Sequence, residues 1–88
     1  MTFRLSRGGA NVPAEVQRWQ YFLWRRDFRQ VGAIDADFGL KTENATKYFH
    51  VREQITPTGK LDEKTLKAAE SHGYTVVPDN YYKERNST

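Results

Sequence analysis

The side chains that could carry out chemistry are few in this sequence, and they are scattered. Two carboxylates, Asp35 and Asp37, stand close together, and the histidines are His50 and His72. A glycosidase needs two carboxyl groups about 5–9 Å apart across a substrate cleft, a geometry that two aspartates on one loop do not provide. Neither histidine belongs to a triad or a metal-ligand pattern. We therefore predict a chain that is not an enzyme, with no catalytic residues, no metal site and no cofactor.

Composition excludes further classes of protein. The sequence of 88 residues has no cysteine, which excludes a thiol nucleophile, a disulfide framework and a cysteine-based zinc site. A hydrophobic fraction of 38% with 28% charged residues is typical of a folded domain with a polar surface. No stretch approaches the roughly 20 apolar residues that span a bilayer, so we predict no membrane partner. Arg4 and Arg7 interrupt the N-terminal segment where a signal peptide needs an apolar core.

The charge balance favours anionic partners. Fourteen Lys and Arg against eleven Asp and Glu give a formal charge of +3. Nucleic acid, acidic glycan and lipid headgroup all remain open on this ground, because long-range attraction does not identify a ligand. The basic residues of the first third are all arginines: Arg4, Arg7, Arg18, Arg25, Arg26 and Arg29.

The elements that must position these side chains begin with a helix predicted over 13–29. Pro13 suits the first helical turn, and Asn11 before it could accept the unpaired backbone amides there. At about 100° per residue one face collects apolar side chains, which predicts a core stripe. This stripe consists of Val12, Val16, Trp19, Phe22 and Leu23, whereas Tyr21, Trp24 and Phe28 fall on the opposite face.

Two further helices are predicted after the loop Gly32–Gly39. The second covers about 40–53, and the third covers about 63–72 with Asp62 as its cap and Gly73 as its stop. Leu61 and Leu66 have the spacing of a hydrophobic staple around this cap. The predicted inner residues of the second helix are Thr42, Ala45, Thr46 and Phe49.

These elements predict an all-α fold, a compact three-helix bundle with a long loop between helices 1 and 2 and an extended C-terminal arm. We assign residues 1–74 to the helical domain and 75–88 to an arm or linker, because Pro78 and the polar end lack helical periodicity. Thr75, Val76 and Val77 could form a short strand.

Three motifs follow one another along the chain. They are Val16-x-x-Trp19-Gln20-x-x-Leu23, Asp35-x-Asp37-Phe38-Gly39-x-x-Thr42-x-x-Ala45-x-x-x-Phe49 and Gly59-x-Leu61-Asp62-x-x-Thr65. Through them the sequence resembles the bacterial peptidoglycan-binding domain family from about Leu5 to Ala69. It departs from the family pattern at three places. His50 stands where glutamine usually follows the aromatic residue, Ala36 stands where glycine is common, and Ala69 stands near an expected leucine.

The resemblance implies a cell-wall-targeting module that does not itself hydrolyse the wall. Such domains are usually fused to amidases, transglycosylases, peptidases or phage endolysins and hold them near their polymer. The expected partners are peptidoglycan and a wall hydrolase domain or another protein. With no signal peptide in view, the expected route is synthesis in the cytoplasm and action at the bacterial cell wall or periplasm, with phage encoding as one origin.

The predicted ligand-binding site lies where the long loop meets the second helix. Such a junction tends to be concave, and here it brings polar groups next to an aromatic side chain. The predicted site residues are Gln20, Asp35, Asp37, Thr42, Tyr48 and Arg52. Arginines could meet the carboxylates of stem peptides and aromatic faces could lie against sugar rings, so the choice between stem peptide and glycan strand stays open.

Two alternatives come from other functional classes. The face formed by Tyr21, Trp24 and Phe28 could be a protein-interaction surface, unless the C-terminal arm covers it. A small basic DNA-binding domain fits less well, because about ten residues separate the first two predicted helices and a helix-turn-helix joins its helices by about 3–4.

Overall fold

The computed structural model describes residues 4–76 as a three-helix fold. The helices are α1 (Pro13–Arg25), α2 (Leu40–Arg52) and α3 (Glu63–Glu70), and a single 3-10 turn, Arg29–Val31, precedes the long loop. The all-α, three-helix prediction is confirmed. Within residues 4–76 there is no strand, so Thr75 and Val76 do not form one. The remaining residues of the predicted arm, 77–88, lie outside the described part of the chain.

Trp19 lies at the centre of the core. Its side chain is fully buried, its indole ring stacks on Phe22 at 5.3 Å between ring centroids, and it meets Phe49 and Tyr74 edge-on at 5.5 Å. The predicted stripe of α1 and the predicted inner residues of α2 both face this core, with Val12 and Phe22 only half-buried. An aromatic centre of this kind supplies much of the buried apolar area that a short chain can offer.

The first residues pair with the segment before α3. Leu5 and Leu61 form an isolated antiparallel bridge, in which the Leu61 amide donates to the Leu5 carbonyl at 2.8 Å. Both side chains are buried, so the bridge closes the core at this end.

All three helices end in the same way. Asp27, Gln54 and Gly73 adopt left-handed backbone conformations with φ of 68°, 59° and 95°. The next residue in each case donates its amide to a carbonyl five residues earlier: Phe28 to Leu23, Ile55 to His50 and Tyr74 to Ala69. This pattern is the Schellman motif, which reverses the chain and turns an apolar residue back toward the helix.

The end of α1 corrects two predictions. The helix ends at Arg25 and not near residue 29, because Asp27 takes the left-handed conformation. The turn carries Phe28 into the core, where it is 8% exposed, so Phe28 does not share an outer face with Tyr21 and Trp24. Glycine is the usual sequence signal for such a turn. Because Asp27 stands in its place, the end of α1 could not be recognised from the sequence.

The helix starts give one confirmed cap and one correction. Asp62 accepts the Thr65 amide at 2.9 Å, as predicted for the start of α3. Asn11 does not cap α1, since its side chain accepts from the amide of Ser6 and donates to the carbonyl of Ser6. The first residue before α1 is Val12, which has no side-chain cap.

Candidate ligand-binding site

A buried glutamine holds the long loop against α1 and α2. The Gln20 Nε2 donates to the Asp35 carboxylate at 3.0 Å, to the Asp37 carbonyl at 2.9 Å and to the Thr42 hydroxyl at 3.0 Å. Its Oε1 accepts the Ala36 amide at 2.9 Å. We call these five residues the Gln20 network. One side-chain amide therefore satisfies polar groups from three consecutive loop residues and from the first turns of α2.

The loop is tightened further inside the network. The Asp35 carboxylate also accepts the Asp37 amide at 3.0 Å, and this bond together with the one from Gln20 holds the pKa of Asp35 below its usual value. Ala36 between them has a φ of 66°, a conformation that glycine adopts without strain. The departure from the family pattern at Ala36 thus falls at the position where glycine is physically favoured.

The six predicted site residues fall into two groups. Gln20 and Thr42 are buried and bonded within the network, whereas Asp35 and Asp37 are exposed on the loop. The carboxylate that accepts a loop amide is that of Asp35, which binds the Asp37 amide. The other two predicted residues, Tyr48 and Arg52, lie roughly 9 and 15 Å beyond Thr42 along the helix axis, at 1.5 Å of rise per residue.

Tyr48 and Arg52 belong to an exposed strip that runs along the whole of α2. We call this strip the α2 outer face; it consists of Leu40, Lys41, Asn44, Tyr48, Val51 and Arg52. Three of its members are apolar or aromatic and more than half exposed: Leu40 at 56%, Tyr48 at 55% and Val51 at 62%. Sequence analysis missed the other four members, although their helical phase places them beside Tyr48: Leu40, Lys41, Asn44 and Val51.

The α2 outer face combines apolar contact area with cations. Lys41 lies at its start, close enough to Asp35 to help lower the pKa of that carboxyl. Arg52 lies at its end, with its guanidinium carbon 5.9 Å from the centre of the Phe28 ring. Such a strip can bind an elongated ligand that carries both flat apolar surfaces and carboxylates.

A second polar chain lies beneath α2 and does not reach the surface. The Gly59 amide donates to His50 Nδ1 at 3.4 Å, so we assign the ring hydrogen to Nε2, which donates to the Thr65 hydroxyl at 2.7 Å. Thr65 in turn donates to the Asp62 carboxylate at 2.8 Å. His50 and Thr65 have no exposed area. In a catalytic triad the histidine lies between the carboxylate and the hydroxyl. Here the Thr65 hydroxyl lies between His50 and Asp62, and burial keeps a substrate from it, so these hydrogen bonds join α2 to α3.

This buried histidine predicts a pH dependence of stability. Burial lowers the pKa of His50 from its ordinary value of 6.5, so the folded chain resists its protonation more than the unfolded chain does. The neutral imidazole's contribution is fully present above pH 6.5 and is lost as pH falls below that value. We expect the melting midpoint to fall between pH 7.5 and 5 and His50→Gln to flatten that fall, because glutamine offers a donor and an acceptor but does not titrate.

Thermal melting by circular dichroism across this pH range tests the prediction. Asp35 and Asp62 do not interfere, since both have pKa values lowered from 3.8 and titrate below the range. For Asp62, burial opposes this shift, but the hydrogen bonds from Thr65 and from its own backbone, together with the charge interaction with His50, outweigh it. Equal slopes for the wild type and His50→Gln would show that another group controls the pH dependence.

Other classes of site are less well represented in residues 4–76. No group of three or more His, Asp or Glu side chains is placed to hold a metal ion there. Among the same residues, no helix has the length and apolarity that crossing a membrane requires.

Tyr21 and Trp24 are exposed at 51% and 37%, so two of the three residues of the alternative protein-interaction face do lie on the surface.

Comparison with known proteins gives one match. Residues 13–69 match the model of a family described as "Putative peptidoglycan binding domain". Neither the curated proteins nor the solved structures yielded a match to the chain. The matched range contains the Gln20 network, the α2 outer face and the buried hydrogen bonds that join His50, Thr65 and Asp62. This chain belongs to the peptidoglycan-binding domain family.

Proposed function

We propose that this chain binds bacterial peptidoglycan without cleaving it and holds an associated wall-active protein near its polymer. The observation that carries the proposal is the family match, which covers residues 13–69 of the 88. The α2 outer face supports it, because an exposed strip of apolar and cationic side chains along a helix favours a ligand made of amides, sugars and carboxylates.

The proposed contact surface runs from the loop to the end of α2. Asp35 and Asp37 would bind amide or hydroxyl donors of the ligand, Tyr48 would lie against a flat apolar face, and Arg52 would pair with a carboxylate. An extended peptide covers the roughly 15 Å from Thr42 to Arg52 with about four or five residues. In this proposal the predicted residues Gln20 and Thr42 contribute by fixing the loop from below.

We expect Tyr48→Ala and Arg52→Ala to weaken binding to purified sacculi while changing the melting midpoint little. Both side chains are exposed, so their loss leaves the core intact. Each removed contact should lower the affinity roughly tenfold, the effect of about 1.4 kcal/mol. Co-sedimentation with sacculi freed of attached anionic polymers measures this. Lys64→Ala, an exposed cation on α3, is the matched control and should bind as the wild type does.

The same suspension tests whether the chain cleaves the wall. The turbidity of the sacculi should stay constant after the chain is added, and a fall in turbidity would contradict the non-catalytic part of the proposal.

Sacculi stripped of stem peptides by an amidase distinguish the two ligand classes, the glycan strand and the stem peptide. Retained binding would identify the glycan strand, and lost binding the stem peptide.

A protein-interaction function has one specific observation in its favour, the exposure of Tyr21 and Trp24 on α1. If Trp24→Ala abolished wall binding in a folded chain while Tyr48→Ala and Arg52→Ala bound normally, the contact would belong to α1. The assignment to the α2 outer face would then be wrong.

A further inference from the structure

A cleft of about 470 Å³ lies between α1 and the segment that follows α3. A volume of this size is within the range of pockets that bind small ligands. The cleft includes no residue of α2, so it is separate from the surface proposed above. Its nine lining residues include Arg18, Tyr21, Arg25, Arg26, His72 and Tyr74.

The lining of the cleft is basic and aromatic. It contains three arginines and three aromatic rings, and none of its nine residues is acidic. Arg25 lies over the ring of Tyr21, with its guanidinium carbon 5.7 Å from the ring centre. Both side chains are exposed, and within residues 4–76 Arg25 has no carboxylate partner. Its charge is therefore not compensated by an acidic side chain of the described fold.

Two neighbouring arginines are held in place at the same cleft. Arg26 donates to His72 Nδ1 at 3.1 Å, and His72 Nε2 donates to Glu53 at 2.9 Å. Arg26 thus bonds to a ring nitrogen and not to a carboxylate, which orients the guanidinium and leaves its charge in place. Arg18 donates to the Thr75 carbonyl at 2.6 Å and lies over the ring of Tyr74. These contacts fix the cationic wall of the cleft before any ligand arrives.

We infer that this cleft binds a polyol or saccharide that bears an oxyanion, either a phosphate or a carboxylate. Guanidinium groups match the two oxygens of either anion through paired N–H donors. The exposed ring of Tyr21 beside Arg25 offers a flat surface for the apolar face of a sugar or polyol. The inference does not depend on the α2 outer face, and it adds a second, anion-selective contact to the chain.

The test measures binding of the full chain to defined polymers by isothermal titration calorimetry at fixed ionic strength. The probes are poly(glycerol phosphate), polygalacturonate, neutral dextran and duplex DNA. We expect binding to poly(glycerol phosphate), to polygalacturonate or to both, and none to dextran. Preference for poly(glycerol phosphate) identifies phosphate as the recognised anion, and preference for polygalacturonate identifies a carboxylate.

Two variants with the same change in net charge distinguish binding in the cleft from non-specific electrostatic attraction to the whole chain. We expect Arg25→Glu to lower the affinity for the bound polymer by at least roughly tenfold, because it replaces charge-assisted bonds by repulsion. Lys64→Glu, on α3 outside the cleft, should lower it by less than about threefold, the effect of screened charge alone. Circular dichroism confirms that both variants are folded.

Three results would overturn the inference. They are no binding of poly(glycerol phosphate) or polygalacturonate, equal losses for Arg25→Glu and Lys64→Glu, and tighter binding of duplex DNA than of both of the other anionic polymers. The wall assay with Tyr48→Ala and Arg52→Ala uses sacculi free of attached anionic polymers. The two assays therefore show separately whether the proposed binding in the cleft or the proposed binding at the α2 outer face is wrong.

Discussion

Phe49→Ala should lower the free energy of unfolding by about 3–5 kcal/mol, the usual cost of removing a buried aromatic ring. The Phe49 ring is 1% exposed and lies edge-on to Trp19, Phe22 and Phe28, with centroids 5.5, 5.8 and 5.7 Å away. These neighbours are held by their own helices and turns, so we expect the cavity to stay largely unfilled. For a domain whose whole stability is about 5–15 kcal/mol, this loss approaches unfolding.

Thermal melting by circular dichroism measures this loss. A midpoint lowered by more than about 10 °C is expected, since about 1 kcal/mol moves the midpoint of such a short domain by roughly 4–8 °C. Tyr48→Ala is the matched control, one position earlier on α2 and exposed, and it should melt within a few degrees of the wild type. An unchanged midpoint for Phe49→Ala would show that the phase of α2 described here is wrong.

Gln20→Glu should be the second most damaging change, with a loss of about 3 kcal/mol or more, because it inverts the hydrogen bonding of a buried group. The Gln20 Nε2 donates to three oxygens, and one of them belongs to the Asp35 carboxylate. A glutamate at this position would place a second charge at about 3 Å from the first, with no N–H left to donate.

Gln17→Glu provides the control for Gln20→Glu. Gln17 lies on the same helix, is exposed, and takes the same change in charge at a position without buried partners. Urea unfolding of the two variants should give a large loss for Gln20→Glu and a change within about 0.5 kcal/mol for Gln17→Glu. Equal losses would show that charge on α1, and not the Gln20 network, determines the result.

The sequence predicted the helices well because their signals are local. The apolar stripe of α1, the inner residues of α2 and the cap at Asp62 each follow from spacing within a few turns. The end of α2 was also predicted to within one residue, but the end of α1 was not. Asp27 takes a left-handed conformation that glycine usually signals, so nothing in the local pattern marked the turn that buries Phe28.

Motif spacing predicted which polar residues lie close together, but not all of their positions relative to the surface. Motif spacing grouped Gln20, Asp35, Asp37 and Thr42 correctly, since the structure joins all four in one hydrogen-bonded network. Helical phase already placed Thr42 on the inner side of α2, and the structure confirms that it is buried. Motif spacing could not show that Gln20 is buried, because a polar residue beside a loop is indistinguishable from a site residue until its hydrogen-bond partners are known.

The cleft beside α1 could not have been predicted from periodicity. Its walls come from α1 and from the segment after α3, as the bond between Arg18 and Thr75, 57 residues apart in the chain, shows. Helical phase placed Tyr21 on an outer face, but only the turn after α3 brings His72 and Tyr74 next to it. Long-range contacts of this kind are set by how the helices pack.

Co-sedimentation of the wild-type chain with purified sacculi tests the central claim most directly, with cellulose as an equally insoluble polysaccharide that lacks peptide and carboxylate groups. The account predicts that the chain pellets with sacculi in a saturable manner and stays in solution with cellulose. A chain that remains in the supernatant with sacculi, or that pellets equally with both polymers, would contradict specific binding to peptidoglycan.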